Sequence, residues 1–153
     1  MAETAESRLA ALEIVLPQAA APAASYVPTV VTGKLVFVSG QVSILGSDKY
    51  VGKLGREHGI EGGFKAARIC AISLLAQLKA AVGDLERIKR IVKLTGFVNC
   101  TPDFSEPHKV VNGCSDLLIE VLGERGRHAR SAVGVATLPL DATVEVEAIV
   151  EIT

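Results

Sequence analysis

Apolar positions along this chain recur with two periods, and the order in which the periods alternate predicts a mixed α+β fold. Thr4 to Ile14 reads as a short amphipathic helix with Thr4 as N-cap and Leu9, Leu12 and Ile14 on its apolar side. Pro17 and Pro22 make the alanine-rich stretch that follows an extended connector. From Tyr26 the pattern turns β-branched. Tyr26 to Thr32 and Lys34 to Ser39 flank Gly33 and predict a β-hairpin. Leu35-Val36-Phe37-Val38 is apolar at every position, so both faces of that strand should be covered. Gly40 to Gly59, rich in Gly, Ser, Asp and Lys, predicts a surface loop.

Helical spacing returns over Gly63 to Val82, where Phe64, Ala67, Ala71, Leu74, Leu75, Leu78 and Val82 share one stripe. Ile88 to Asn99 predicts a strand and Thr101-Pro102-Asp103 its turn. Pro107 suits the first turn of another helix, with Val110, Val111, Cys114, Leu117, Leu118 and Val121 as its core face and Gly123 as its stop. The remainder, Ser131 to Thr137, the Leu138-Pro139-Leu140-Asp141 turn and Thr143 to Ile152, predicts a closing hairpin. The expected order is thus a leading helix followed by ββαβαββ. Two main helices cover one face of such a sheet. The other, also apolar, is a candidate subunit interface.

A length of 153 residues suits one domain, and 49% apolar against 22% charged residues suffices for a buried core. Sixteen basic and seventeen acidic residues leave a net charge of −1, which argues against nucleic-acid or membrane partners held by bulk electrostatics. The polar, acidic N-terminus does not read as a signal peptide, and no apolar run approaches a membrane span. Cys70, Cys100 and Cys114 are widely separated with no CxxC pattern, so reduced thiols in a cytoplasmic protein are expected.

Generic catalytic signatures are missing: no GxSxG, GxxxxGK[ST], HExxH or strand-terminal GxGxxG occurs. His58, His108 and His128 lack ligand spacing, so no metal is expected. Gly52-Lys53-Leu54-Gly55-Arg56 only faintly suggests an anion-cradling loop.

The C-terminal third is more specific. Arg130-Ser131 opens a strand, Leu138-Pro139 makes a turn, and Val144-Glu145-Val146-Glu147-Ala148-Ile149 alternates apolar residues with glutamates. Upstream stand Ser39-Gly40-Gln41, Tyr26 before it, and Val111-Asn112 in the second main helix. In this order and spacing, over about residues 26–150, these segments resemble the RidA (YjgF) reactive-intermediate deaminases. The resemblance divides the chain into an N-terminal helical extension and linker, 1–25, and a RidA-like domain, 26–153. It implies a chorismate-mutase-like α+β homotrimer with pockets between subunits. The implied activity is cofactor-independent hydrolysis of 2-imino acids, formed from enamines such as 2-aminoacrylate, to 2-keto acids and ammonia. Arg130 would bind the substrate carboxylate and Glu145 would activate water. Tyr26, Ser39 and Asn112 would line the pocket, and a backbone carbonyl near Ala132 would help hold the water.

Elementary chemistry agrees with those roles. An imine carbon is already electrophilic, so its hydrolysis needs chiefly a placed water and a fixed substrate. A guanidinium forks onto a carboxylate where lysine cannot, and a carboxylate can accept the water's proton. Read without the resemblance, Arg130 is a strand-edge arginine paired with Glu145 or Glu147. Two other functions stay open: a non-catalytic ligand-binding or regulatory trimer, and a ribonuclease meeting phosphate through Arg125, Arg127, His128 and Arg130. The chain departs from short family members in its N-terminal helix and its longer loop over 46–59. Ala23-Ala24-Ser25 replaces the usual Ile-Gly-Pro, and His128-Ala129 the usual Pro-Ala.

Overall fold

The computed structural model describes residues 2–153. Helix α1 (Ala5–Ala11) is capped as its sequence dictates: the Thr4 hydroxyl accepts from Ser7 N–H while the Ser7 hydroxyl accepts from Thr4 N–H. Strands β1 (Thr29–Thr32) and β2 (Leu35–Val42) form the first hairpin, and β3 (Ile44–Leu45) with β4 (Asp48–Lys49) a small second one. Helix α2 (Ile60–Val82), strand β5 (Ile88–Asn99), helix α3 (Pro107–Leu122), and strands β6 (Ala129–Val135) and β7 (Val144–Ile152) complete the chain. Pro107 does open α3, and Gly123 closes it.

The main sheet has the order β1-β2-β7-β5-β6. Its helix-facing side is the core: Val36, Val38, Ile91, Leu94, Val98, Val144, Val146 and Val150 are buried beneath Leu74, Leu78, Leu117 and Leu118. Helices α2 and α3 approach closely at Gly113, where a Cβ would overlap the Phe64 carbonyl. Helix α1 lies against α3, its Leu9 only 2% exposed, so three helices rather than two cover this side.

Two expectations need correction. The closing hairpin does not form. Strand β6 pairs with β5 in parallel, and β7 lies between β5 and β2, antiparallel to both. The Leu138–Asp141 segment, with Leu140 and Asp141 at φ of 60° and 56°, is the bend of a crossover past β5. Apolar alternation gives a strand's faces but does not name its neighbours.

Second, the segment predicted as a surface loop is tied down. Residues 40–42 finish β2. Leu54 is fully buried, its N–H donates to Asn99 O, and its carbonyl accepts from Thr101 N–H. Lys53 donates to Asn99 Oδ1 at 2.6 Å and to the Ala136 carbonyl. Its ammonium is spent on protein oxygens, which removes the anion-cradle reading. A buried leucine and a satisfied lysine outweigh the loop-like composition around them.

Within one chain the helices cover only one face of the strand Leu35–Val38, and the other is left for a different layer or subunit, as expected from its apolar pattern. Val36 and Val38 are buried, whereas Phe37 is 42% exposed beside its partners Val30 and Ile149. Phe97 and its partner Val133 form a second apolar patch on the helix-free face, separated from the first by the Thr95–Glu147 pair.

Candidate active site

The six residues singled out from the sequence fall into two groups on opposite sides of the sheet. Arg130 on β6 pairs with the buried Leu94 of β5, so its side chain leaves on the helix side. There Nη1 donates to Asn112 Oδ1 at 2.9 Å and to Ser115 Oγ at 3.1 Å, and Nη2 donates to His108 O at 3.0 Å. Asn112 and Arg130 are therefore brought together, as expected. All three acceptors are neutral. No carboxylate pairs with Arg130 among the described residues, whereas Arg8, Arg56, Arg125 and Arg127 each have a glutamate partner. The reading of Arg130 as the ion-pair partner of Glu145 or Glu147 is thereby excluded.

Two further residues belong to this cluster. His128 Nε2 lies 2.9 Å from Ser115 Oγ, and its Nδ1 lies 2.6 Å from the Gly126 carbonyl. The carbonyl requires Nδ1 to carry the proton, so neutral His128 accepts the Ser115 hydroxyl through Nε2. Burial, and then the nearby Arg130 charge, hold its pKa below the ordinary range against the Gly126 bond, which favours that neutral form. This is a support rather than a nucleophile and its base. Ser115 lies within α3, 8% exposed, with Arg130 donating to its oxygen. No local pattern marks the pair, since thirteen positions separate its members along the chain. Ala132 lies two residues beyond Arg130 on β6, an edge strand with one row of backbone groups free of ladder bonds.

The second group surrounds Glu145. The alternation of β7 buries Val144 and Val146 against the helices and turns Glu145 to the opposite face. Its carboxylate lies over Gly40, where any Cβ would collide with Oε1. Gly40 sits at an irregularity between Val38 and Gln41, the point at which β2 outruns β1 and its outer edge becomes free. A cavity of about 360 Å³ reaches round that edge and is lined by Glu145, Gly40, Tyr26 and the linker Ala20 to Ala24. Burial first, and the neighbouring Glu147 second, raise the Glu145 carboxyl above its usual range. Tyr26 is 48% exposed at the cavity, whereas the Ser39 hydroxyl donates to Val27 O at 2.9 Å and braces the Tyr26 segment.

The chain matches the family model described as YjgF/chorismate mutase-like, putative endoribonuclease, over residues 6–152. It belongs to the YjgF/RidA family. Protein TCP17 of Trypanosoma cruzi is 49% identical, with 99% of each chain covered. A crystal structure described as a putative endoribonuclease from Shewanella oneidensis shares 38% identity at a TM-score of 0.94, covering 98% of this chain and 100% of that one. RidA from an Antarctic Psychrobacter shares 26% at a TM-score of 0.63, covering 88% and 94%. The chorismate-mutase-like α+β fold and the family expected from the sequence are both established by these matches. Among the described residues no helix is long and apolar enough to cross a membrane, and no cluster of potential metal ligands occurs.

Proposed function

We propose that this protein hydrolyses 2-imino acids to 2-keto acids and ammonia, in a site composed between copies of the chain. The observation carrying this reading is the unpaired Arg130 guanidinium, held by three neutral oxygens. A guanidinium offers five N–H donors, so two are left for a ligand carboxylate. A guanidinium with donors left over can fork onto a carboxylate through charge-assisted bonds. Arg130 and Glu145 face opposite sides of one sheet, so the Glu145 that meets a given Arg130 comes from another copy. The two apolar patches of the helix-free face, Val30-Phe37-Ile149 and Phe97-Val133, support assembly as a homotrimer.

In the reaction, water adds to the imine carbon as its proton passes to Glu145. The new C–O bond leaves a tetrahedral carbinolamine. The nitrogen takes that proton from Glu145, the hydroxyl proton then follows it through the same carboxylate, the C–N bond breaks, and ammonia leaves as the carbonyl forms. R–C(=NH)–COO⁻ and H₂O give R–C(=O)–COO⁻ and NH₃, with no redox change and no cofactor. A carboxyl whose pKa is raised is a stronger base, suited to this work near neutral pH.

A ribonuclease finds less support. Arg125 bonds Ile88 O and Glu86, and Arg127 bonds Glu124, so two members of the basic run are already engaged. The decisive experiment generates 2-aminoacrylate in situ and follows ammonia and pyruvate, with light scattering of the same sample. Accelerated release by a particle of three times 16 kDa is expected. An uncatalysed rate at micromolar protein would overturn the reading.

A further inference from the structure

The bonds around Arg130 are unevenly distributed over its guanidinium. Both protons of Nη1 are spent, one on Asn112 Oδ1 and one on Ser115 Oγ, and one proton of Nη2 goes to His108 O. Nε–H and the second Nη2 proton have no acceptor among the described residues. The only parallel pair of donors still on offer is therefore the edge formed by Nε–H and Nη2–H. His108, Asn112 and Ser115 follow one another at i, i+4 and i+7 along α3, so one side of the helix carries all three acceptors. Ser115 is the one whose direction needs fixing. Within a helix a serine hydroxyl commonly turns back to the carbonyl one turn earlier. Here neutral His128 takes the hydroxyl proton through Nε2 at 2.9 Å, while its Nδ1 is tied to Gly126 O at 2.6 Å. The lone pairs of the oxygen are thereby left for Nη1. Ser115 is 8% exposed, so water has little access to stand in for His128.

We infer that Ser115 and His128 are positioning residues for Arg130: by holding Nη1 they turn the Nε–Nη2 edge of the guanidinium, rather than its Nη1–Nη2 end, toward the substrate carboxylate. The identity of that carboxylate rests on the imine-hydrolysis reading. Neither residue touches the reacting atoms. Without the Ser115 hydroxyl, Nη1 regains a free proton and the guanidinium has two forks to offer. It then presents the aligned one only part of the time. Losing a hydrogen bond to a charged group shifts such a balance by roughly tenfold or more, and the apparent affinity falls by the same factor.

The test measures KM and kcat on the 2-aminoacrylate-derived imine, and calorimetric binding of pyruvate, in wild type, Ser115→Ala, His128→Ala, His128→Gln, Arg130→Lys and Ser115→Ala combined with Arg130→Lys. Glutamine brings an amide oxygen to the place of Nε2, so it can still accept the hydroxyl proton. Ser115→Ala and His128→Ala should each raise KM and the pyruvate Kd by roughly five- to twentyfold while kcat stays within about twofold. His128→Gln should return both constants to within about threefold of wild type. Beside Arg130→Lys, which has no edge to turn, Ser115→Ala should add no further loss. Unchanged KM and Kd in both alanine variants would overturn the positioning role and leave the hydrolysis intact, as would a fall in kcat at constant KM. An equal loss in the Arg130→Lys background, or His128→Gln as impaired as His128→Ala, would overturn it too, since either marks a packing role. Should Ser115→Ala fail to fold, the two His128 variants decide. A wild type that binds pyruvate without turning over the imine, with Kd rising in His128→Ala and not in His128→Gln, would overturn the hydrolysis and uphold the positioning. Neither binding nor turnover would overturn both.

Discussion

Replacing Arg130 by lysine keeps the charge and removes the geometry. In the wild type, three of five donors hold Asn112, Ser115 and His108 O, and two are left for a ligand. A lysine has three donors in all, at the end of a stem without a planar fork. It cannot satisfy three protein oxygens and a carboxylate together, so at least one charge-assisted bond to the substrate is lost. That loss is about 1.5–3 kcal/mol of transition-state binding, or roughly ten- to 150-fold in kcat/KM. Folding should suffer less. Ser115, 8% exposed, loses one donor but keeps His128, a cost of about 1 kcal/mol or a shift of roughly 2–4 °C in Tm. The assay is ammonia release from the 2-aminoacrylate-derived imine, with melting temperature as control. Wild-type turnover in both Arg130→Lys and Arg130→Ala would refute the anchoring role. Unfolding of either would show instead that the cluster is a structural clamp.

Glu145→Gln should cut turnover by about 10²–10⁴-fold while leaving keto-acid binding largely intact, because water activation and anchoring belong to different residues. A carboxyl titrating higher in the folded than in the unfolded chain destabilises the fold where it is ionised, and that cost is relieved as pH falls through the raised pKa. The variant should therefore melt above wild type near pH 8, with the difference closing in acid. A variant that melts below wild type near pH 8 would contradict the sign. Gly113→Ala drives a Cβ into the Phe64 carbonyl, a backbone atom with nowhere to retreat, and should cost roughly 3 kcal/mol or more by denaturant melts. Hydrogen exchange should find the amides of Leu54 and Thr101 strongly protected, since each closes a bond across the supposed loop. Rapid exchange at both would return that segment to the surface.

The boundaries of α3 and β5 were legible because each has a local cause: Pro107 and Gly123 punctuate the helix, and Ile88 to Asn99 matches the strand residue for residue. The pairing of β6 was not legible, because parallel partnership with β5 leaves no trace in a strand's own alternation. The tied-down segment was misread for a related reason. Leu54 is one apolar residue among glycines and charges, and its burial depends on Asn99 and Thr101, distant in the chain. Arg130, Asn112 and Glu145 could be named from motif order. That Arg130 and Glu145 face opposite ways could not, because it follows from register: Arg130 stands beside Leu94 of β5 and Glu145 beside Phe97, an odd number of residues apart. Ser115 and His128 were invisible as a pair until the fold set α3 beside β6.

The opposite faces taken by Arg130 and Glu145 also make the two halves of the proposed site genetically separable. In the proposed homotrimer each chain would lend its arginine to one site and its glutamate to a different one. Neither an Arg130→Ala chain nor a Glu145→Gln chain can then build a complete site alone. Unfolded together and refolded as a one-to-one mixture, they should recover about a quarter of the wild-type sites, each drawing its intact arginine and intact glutamate from different mutant chains in a closed ring. A chain lacking both residues would spoil two sites of such a ring rather than one, so mixed one-to-one with normal chains it should leave about a quarter of the sites, where either single variant leaves about half.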